Sequence, residues 1–463
     1  MGSAFRRRKP LKGERLMTMN NRITRRRVLG TSVAGAAAVG LAGSRLQESL
    51  AARKAPSHIQ ASGKVTYWGG LIFSDEANNL LSETITKWGE DNGVETEVVM
   101  INQNETNQKV SAAVESGTMP DALDMGLDLL LLLSSQKEIL APLDDLYTKI
   151  GDAQGGWYES MAASTDTTAI AGGRTGIPFG ASGNLILRRN DALSAAGFTA
   201  APATWEEMVT QAKAVQAPPL YGLGLALSNV GDGNVQMSVL QSYGGRIADD
   251  EGKTVTIKSD ATRTYLQWVK DAWDAGIFPP GNTTWDGAGD NQAYLAGQAA
   301  FIANTGSVAI AARNDDPELF EATAYSPLPA GPNGIISPTN PNVRAISAKS
   351  ANMDAAKALV EFLSNPEFMA AYFNVAIYGP VLKNQATFPA YNGENLILAG
   401  LLDLVSNGTP PGFPDKYNTA YGDFSANFIV PKMVQRVVID GYDFDKAMDE
   451  AQTQGQAIYD KYK

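Results

Sequence analysis

The sequence predicts an α/β fold, because short β-rich runs alternate with segments of helical periodicity along most of the chain. The first such unit is a β-rich run at 65–68, a helical stripe of apolar residues at 81–88 and a second strand at 94–101. A strand, a helix and a strand at this spacing predict a βαβ unit, in which the two strands are parallel. The chain has 463 residues, which is enough for about two or three domains.

Later segments continue the same alternation. A third strand is expected at 122–125, after a turn that contains proline. Thr204 and Glu207 have the spacing of a capping box, which predicts that a helix begins there. Aromatic and apolar residues recur with helical spacing at 264–273, and a last helix is expected at about 444–459.

The composition excludes several classes of function. The chain has no cysteine, which excludes disulfides, thiolate metal sites and a lipid anchor on cysteine. Its one histidine, His58, cannot supply a scheme that needs two imidazoles. Residues 1–54 carry 13 of the 38 basic and 2 of the 49 acidic residues, which leaves a charge of −22 on the rest. A body this acidic argues against nucleic acid as a partner, and we expect no cofactor and no metal.

Residues 1–54 are predicted to be a twin-arginine-type signal peptide. A basic region with consecutive arginines at 25–27 precedes an apolar stretch at 28–43, and residues 49–51 resemble a signal-peptidase site. The apolar stretch, about 16 residues, is shorter than the ~20 that span a bilayer as a helix. A basic tail on a cytoplasmic protein is the alternative. We therefore expect an exported protein, periplasmic or extracellular, that is not a lipoprotein.

Several short motifs occur in an order that resembles a known family. They are VTYWG at 65–69, GTMPD at 117–121, APLDDL at 141–146, GIPF at 176–179, RNDAL at 189–193, APATWEE at 201–207, and GQAAF at 297–301 ahead of Thr305 and Gly306. Together they resemble the extracellular solute-binding proteins of ABC importers, in the sugar-binding group that includes maltose-binding protein (family 1). No single motif is specific, but their order is, and the resemblance covers nearly all of residues 64–463.

This resemblance implies a two-lobed periplasmic-binding-protein-like fold of type II. Each lobe would be a mostly parallel sheet flanked by helices, and the ligand would lie in a cleft at the hinge between them. The implied lobes are 64–180 plus 344–378 and 184–336 plus 380–463, with hinge crossings near 180–184, 336–344 and 378–381. The implied function is capture of a carbohydrate and its delivery to the permease subunits of an ABC transporter, by a monomer.

Candidate ligand residues follow from what a sugar requires, namely aromatic planes for its C–H faces and polar side chains for its hydroxyls. Trp285 lies in a polar, glycine-rich loop, and Trp68 ends a strand, whereas the helical stripes predict core positions for most other tryptophans. By the resemblance, Asp128 is a hydroxyl-binding acid; a helix N-cap is its alternative role. The predicted ligand-binding residues are Trp68, Gly69, Asn104, Asp128, Ser182, Asn184, Asn229, Asp232, Asn234, Trp285, Asp286, Thr305, Gly306 and Tyr378.

Some departures from the family pattern narrow the solute. Ser307 stands where many maltodextrin binders carry tryptophan, and Met125 and Leu129 stand where they carry an aromatic residue and arginine. A mono- or short oligosaccharide is therefore expected rather than a long maltodextrin. A polyamine, bound by aspartates and Trp285, and a glycerol-phosphate-type solute, bound by Arg344 or Arg313, are alternatives. A secreted glycoside hydrolase is a third, but the sequence has none of the common catalytic motifs, so we expect no enzyme.

Overall fold

The structure is a computed structural model, and it describes residues 64–72, 74–393 and 395–463, with only the backbone given for Gln103, Asn104 and Leu396. The strands are β1 (Lys64–Leu71), β2 (Glu95–Asn102), β3 (Ala122–Gly126), β4 (Ile177–Ser182), β5 (Leu185–Arg189), β6 (Tyr221–Gly224), β7 (Ala299–Asn304), β8 (Thr323–Ser326) and β9 (Asn340–Ile346). The predicted signal peptide and His58 lie outside the described residues.

Helices connect these strands and cover both sheets. They are α1 (Asp75–Asn92), α2 (Gln103–Ser116), α3 (Leu127–Ser134), α4 (Asp144–Ala153), α5 (Glu159–Ser164), α6 (Thr168–Ala171), α7 (Asn190–Ala195), α8 (Trp205–Val215), α9 (Val235–Ser242), α10 (Asp260–Asp274), α11 (Gly289–Leu295), α12 (Ser307–Asp315), α13 (Pro317–Ala322), α14 (Met353–Phe362), α15 (Pro366–Val375), α16 (Leu396–Asn407), α17 (Thr419–Ala426), α18 (Ile429–Val438) and α19 (Phe444–Tyr459). Short 3-10 helices lie at Gly231–Asn234, Lys383–Thr387, Pro389–Tyr391 and Asp460–Tyr462. None of the helices in the described part of the chain combines the length and apolar character needed to cross a membrane.

Two sheets organise two lobes. The first lobe is built on the sheet β2-β1-β3-β9-β4, and the second on the sheet β6-β7-β5-β8. β1 is parallel to β2 and β3, as the βαβ pattern predicts, and β6 is parallel to β7. One strand in each sheet is reversed: β9 is antiparallel to both β3 and β4, and β5 to both β7 and β8. The sheets are therefore mixed, although all their other strands run in one direction, as expected for mostly parallel sheets.

The reversed strands follow from the path of the chain between the lobes. The chain leaves the first sheet through β4, enters the second through β5, and returns through β9. β5 and β9 enter their sheets from the hinge, whereas the strands paired with them end at the hinge side. β5 and β9 therefore run in the opposite direction to their neighbours. The three predicted hinge segments contact one another: Ser182 pairs with Asn340, and Ala181 forms two backbone hydrogen bonds with Gly379, of 3.0 and 2.6 Å.

Local signals identified in the sequence account for several helices. Thr204 caps α8, because its side chain accepts a hydrogen bond from the Glu207 amide, 3.1 Å away, while the Glu207 carboxylate accepts one from Ala203 N. The predicted N-cap is confirmed, but the Glu207 carboxylate accepts from the residue before the N-cap and not from the Thr204 amide that a capping box requires. Trp205 and Trp268 are buried edge to face, with ring centroids 5.8 Å apart, in the large core of the second lobe. Their packing role is confirmed.

Candidate functional site

The first candidate cavity lies at the carboxyl edge of the first sheet. It has a volume of about 230 Å³, and its lining includes Gly70 and Gly126, at the ends of β1 and β3, and Thr106 and Asn107 of α2. Because β1, β2 and β3 are parallel, their carboxyl ends meet at one edge. Open α/β sheets bind ligands outside this edge.

Aromatic rings form one side of the first cavity. Phe179, Tyr372 and Tyr378 all line it. The Phe179 and Tyr378 rings meet edge to face with centroids 5.6 Å apart, and Tyr372 stacks on Tyr378 at 6.2 Å. This aromatic floor, meaning these three residues, presents ring faces and edges suited to the apolar C–H face of a sugar. Tyr378 was among the predicted ligand residues, whereas Phe179 and Tyr372 were not.

A buried acid lies beside the aromatic floor. Asp124 Oδ1 accepts a hydrogen bond from the Tyr67 hydroxyl at 2.5 Å, and Arg344 Nε lies 3.0 Å from that hydroxyl and 3.5 Å from Asp124 Oδ1. The guanidinium of the fully buried Arg344 lies 4.1 Å from the ring centroid of Phe179. Burial raises the pKa of Asp124 above its usual value, although Arg344 and Tyr67 both act to lower it. Arg344 Nε and Nη1 are thus engaged by Tyr67 and by the Leu363 carbonyl, and the charge of Asp124 beside them disfavours an anionic solute, although Nη2 has no hydrogen-bond partner among the described residues.

Asp128 lies where the first cavity meets the second lobe. It lines the cavity, and its Oδ1 accepts a hydrogen bond from the hydroxyl of Tyr417. Tyr417 packs against the cores of both lobes, so this bond bridges them. Asp128 is not the N-cap of α3, because that position is occupied by Gly126.

A second, smaller cavity joins the lobes. Its volume is about 130 Å³, and it shares Asn342 and Tyr378 with the first cavity. The predicted residues Ser182 and Thr305 line it, together with Ser307. Four predicted residues, counting Asp128, are therefore found around the two cavities.

A third and larger cavity, about 600 Å³, lies on the other side of α3. Leu127 and Leu131 of that helix line it on the first lobe, and Tyr417 and residues 251–253 on the second. Because Asp128 lines the first cavity and Tyr417 the third, their hydrogen bond lies between the two spaces.

The remaining predicted residues lie outside the lining of the first two cavities. Trp68 packs on the core of the first lobe, and Gly69 allows the close approach of Met100 on β2. Asn104 is in α2, where only its backbone is described. Asn184 follows β4 in the hinge, and Gly306 has a φ of 97° and precedes α12.

Other predicted residues cluster in the second lobe. Asn229 donates to Gln435 Oε1 at 3.1 Å, and Asn234 to the Ser425 carbonyl at 3.3 Å. Asp286 accepts from Ala288 N at 3.0 Å, which is a turn contact. Trp285 packs closely on Gly289, and Asp232 lies near Gly287 in the same region.

Several residues of the site are not among the predicted ligand residues. Asp124, Phe179, Asn342, Tyr372 and Tyr417 are the main ones. Phe179 lies in the GIPF motif and Asp124 in the third strand, but both are inside their strands, so the strand-end signal did not identify them. Within the part of the chain that the structure describes, no group of three or more His, Cys, Asp or Glu side chains is placed to hold a metal ion.

Comparison with known proteins places the chain in a family. A family model described as "Bacterial extracellular solute-binding protein" matches residues 83–394. The GacH receptor of Streptomyces glaucescens GLA.O, studied unliganded and with acarbose, aligns with a TM-score of 0.72 at 20% identity, over 87% of this chain and 100% of that chain. "Maltose bound T. maritima MalE3" has the same TM-score and identity, over 86% of this chain and 100% of that chain.

A relative known from its sequence agrees with this. The "Probable ABC transporter-binding protein" of Deinococcus radiodurans is 25% identical over 229 residues, which are 48% of this chain and 54% of that protein. The solved structures establish the two-lobed fold that the sheets describe. Because the family model covers more than half of the sequence, the chain belongs to the bacterial extracellular solute-binding protein family.

Proposed function

We propose that this protein captures a mono- or short oligosaccharide between its two lobes, outside the cytoplasm, and delivers it to the permease of an ABC transporter. The observation that carries the proposal is the pair of adjoining cavities at the carboxyl edge of the first sheet. They combine an aromatic floor with hydroxyl, amide and carboxyl groups. Rings and polar groups in this combination suit a sugar, which has apolar faces and a rim of hydroxyls.

Asp128, Ser182, Thr305 and Tyr378 are the proposed ligand contacts, and Trp285 is the proposed stacking residue of the second lobe. In this proposal the lobes are 64–180 plus 344–378 and 184–336 plus 380–463, and closure of the cleft traps the solute. The chain acts as a monomer, has no catalytic residue and reaches its compartment through the twin-arginine-type leader. The solutes named for its structural relatives, acarbose and maltose, are carbohydrates or close analogues, which supports this class.

A phosphoester solute is less well supported. Of the two arginines that the sequence offers for an anion, Arg344 is buried against Asp124 and Tyr67. Arg313 is exposed on α12, outside the lining of the first two cavities.

The test is a thermal-shift screen of the chain without its leader, about residues 55–463, against mono- and oligosaccharides, polyols, polyamines and phosphodiesters. A ligand that binds the folded state raises the melting temperature by mass action. We expect shifts confined to sugars, followed by calorimetry to measure the affinity. Shifts with polyamines or phosphodiesters alone would contradict the carbohydrate assignment, and turnover of a glycoside would contradict the binding-protein role.

A matched pair of variants ties the binding to the cleft. Thr305→Trp fills the second cavity from an exposed position and should abolish binding, because the indole occupies the space between the lobes. Thr86→Trp adds the same ring to an exposed position on α1 and should leave affinity unchanged. Equal affinities in the two variants would show that the solute binds elsewhere.

A further inference from the structure

The two adjoining cavities between the lobes each have a lining that suits one sugar ring. The first combines the aromatic floor with the carboxyl group of Asp128 and the amide of Asn107. The second combines two isoleucine side chains with four short hydroxyl side chains, namely Ile72, Ile377, Ser74, Ser182, Thr305 and Ser307. Apolar side chains suit the C–H face of a sugar, and the polar groups suit its hydroxyls. The chemistry that a sugar needs is therefore present twice.

Asn342 and Tyr378 line both cavities and so mark the junction between them. The two volumes are about 230 and about 130 Å³. Each is smaller than the roughly 300–1,000 Å³ typical of a small-molecule site, whereas the joined space reaches the lower end of that range. A solute that occupied only one cavity would make no contact with the lining of the other. The geometry therefore favours a solute with two rings, joined near Asn342.

The hydroxyls of two buried tyrosines provide anchors for the ring in the first cavity. Tyr372 and Tyr378 both line this cavity, and neither hydroxyl takes part in a hydrogen bond with the part of the chain that the structure describes. Burial raises the pKa of both hydroxyls, so both keep their protons and can donate. Because the hydroxyl of a buried tyrosine usually has a partner, these two are available to the oxygens of a solute.

A contact between the lobes separates the first cavity from the third. The Tyr417 hydroxyl donates to Asp128, and the third cavity, about 600 Å³, lies beyond this bond. The ring of Tyr417 packs on Tyr421, with centroids 5.1 Å apart. Gly422 of α17 also approaches Asp128, since a Cβ at Gly422 would lie 3.1 Å from its Oδ1. Because Gly422 has no side chain, the separation at this contact depends on Asp128 and Tyr417, which we call the partition.

Building on the proposed function, we propose that the solute is a disaccharide, with one ring in each of the first two cavities, and that the partition keeps longer chains out of the third. A monosaccharide fills one cavity and loses the contacts of the other. A third ring gains nothing, because it can enter the third cavity only by displacing Tyr417 from Asp128, which costs a hydrogen bond between the lobes. The affinity should therefore rise from one ring to two and then stop rising.

The experiment is calorimetry of the leaderless chain with sugars of one, two and three rings in matched series. The series are glucose with maltose and maltotriose, with isomaltose and isomaltotriose, and with cellobiose and cellotriose. In the series that binds best, we expect the disaccharide to bind about tenfold tighter than the monosaccharide, because the second ring adds contacts, and the trisaccharide to bind no tighter. A monosaccharide that binds as tightly as its disaccharide, or a trisaccharide that binds about tenfold tighter, would overturn the proposal.

A variant of the partition tests its role separately. Tyr417→Ala removes the ring between the first and third cavities, so the trisaccharide should gain about tenfold in affinity relative to the disaccharide. The ratio of the two affinities is the readout, because loss of the bond between the lobes weakens both sugars alike. Tyr442→Ala removes a ring of the second lobe outside the lining of the cavities and should leave the ratio unchanged. The wild-type ratio in Tyr417→Ala would contradict the role of the partition.

Two further variants separate the first cavity from the second. Thr305→Leu narrows the second cavity and should weaken the disaccharide about tenfold more than the monosaccharide. Tyr378→Phe removes a hydroxyl at the junction and should weaken both sugars. Thr86→Leu, at an exposed position on α1, is the control for added size. Equal losses of both sugars in Thr305→Leu, or unchanged affinities in Tyr378→Phe, would contradict the proposed placement of the rings.

Failure of the proposed function gives a different result. If no sugar raises the melting temperature in the thermal-shift screen, the carbohydrate function fails, and the disaccharide proposal fails with it. If sugars bind but their affinity does not depend on the number of rings, the carbohydrate function stands and the disaccharide proposal alone is overturned.

Discussion

Asp124 in the first lobe and Asp290 in the second are both buried at the carboxyl edge of their sheets, but their surroundings are opposite. Asp124 has the guanidinium of Arg344 and the hydroxyl of Tyr67 beside it. Asp290 has amide donors, chiefly the side chain of Asn304, and its charge raises the pKa of a second acid, Asp232. Asp124 lines the first cavity, but its carboxylate is already paired with Tyr67 and Arg344 inside the lobe. No lysine or arginine is among the charges that act on Asp290, so the two lobes stabilise their buried acids in different ways.

The first way to test this contrast is to remove the cation of the first lobe. Arg344→Met leaves Asp124 and Tyr67 without their positive partner in a fully buried site, and loss of one partner from a buried pair costs about 3–5 kcal/mol. Thermal or urea unfolding should show this as the largest loss of stability among the variants discussed. Arg263→Met removes an exposed ion pair with Asp445 and should cost about 1 kcal/mol or less. Similar losses for both variants would contradict the structural role of Arg344.

The acids of the second lobe should instead make stability depend on pH. The pKa of Asp232 is raised to about 7 by burial and then by Asp290, so the folded protein retains a proton that the unfolded chain releases above about pH 4. Folded protein therefore binds more protons, and the free energy of unfolding falls as pH rises from about 4 to about 7, by up to about 1.4 kcal/mol per unit. Asp232→Asn should remove the part of this fall that Asp232 contributes, whereas Asp290 and Asp124, whose pKa values burial also raises, keep a part of it.

The groups around Asp232 support that assignment. Its 3-10 helix packs against α9, which has no charged residue, and α18, whose Arg436 pairs with Glu450 and Asp440. The other cation of α18, Lys432, is not among the charges that act on Asp232. Unfolding curves of wild type and Asp232→Asn across this range provide the measurement. Parallel pH profiles for the two proteins would show that the proton resides elsewhere.

A smaller effect is expected from the proposed stacking residue of the second lobe. Trp285→Ala should weaken binding of the identified solute by about two- to tenfold, because an aromatic contact contributes roughly 0.5–1.5 kcal/mol beyond its buried area. Phe413→Ala truncates an exposed aromatic residue outside the lining of the cavities and is the control. Unchanged affinity in Trp285→Ala would leave the aromatic floor of the first lobe as the sole stacking surface.

The contrast between the lobes also shows which structural features can be predicted from a sequence. Local patterns identified β1, β3, the Thr204 cap and the last helix, because each depends on neighbours within a few residues. The role of Arg344 could not be found in this way. Its partner Tyr67 is 277 residues away, so the sequence offered it as an anion ligand, whereas its contacts are internal.

Only part of the site was predicted, because local patterns indicate where strands end but not which distant residues contact one another. Ser182 and Thr305 lie at the ends of strands, and this position alone indicated the cleft. The pairing of Asp290 with Asn304 was not predicted, because a hydrogen bond between side chains of different elements is a property of the folded lobe and not of either residue type. The reversed strands β5 and β9 likewise depend on how the chain crosses the hinge.

The smallest predicted effect concerns the hydrogen bond that joins the two lobes. Tyr417→Phe removes the hydroxyl that donates to Asp128, at a cost of about 0.5–1.5 kcal/mol to the conformation in which the lobes touch. Because the solute is proposed to bind between touching lobes, its affinity should fall by about two- to tenfold, as measured by calorimetry. Tyr442→Phe, on the second lobe and outside the cavities, is the matched control. A rise in affinity for Tyr417→Phe would mean that the phenol competes with a solute hydroxyl for Asp128, so that this acid, unlike Asp124, is released to the solute when the protein's own donor leaves.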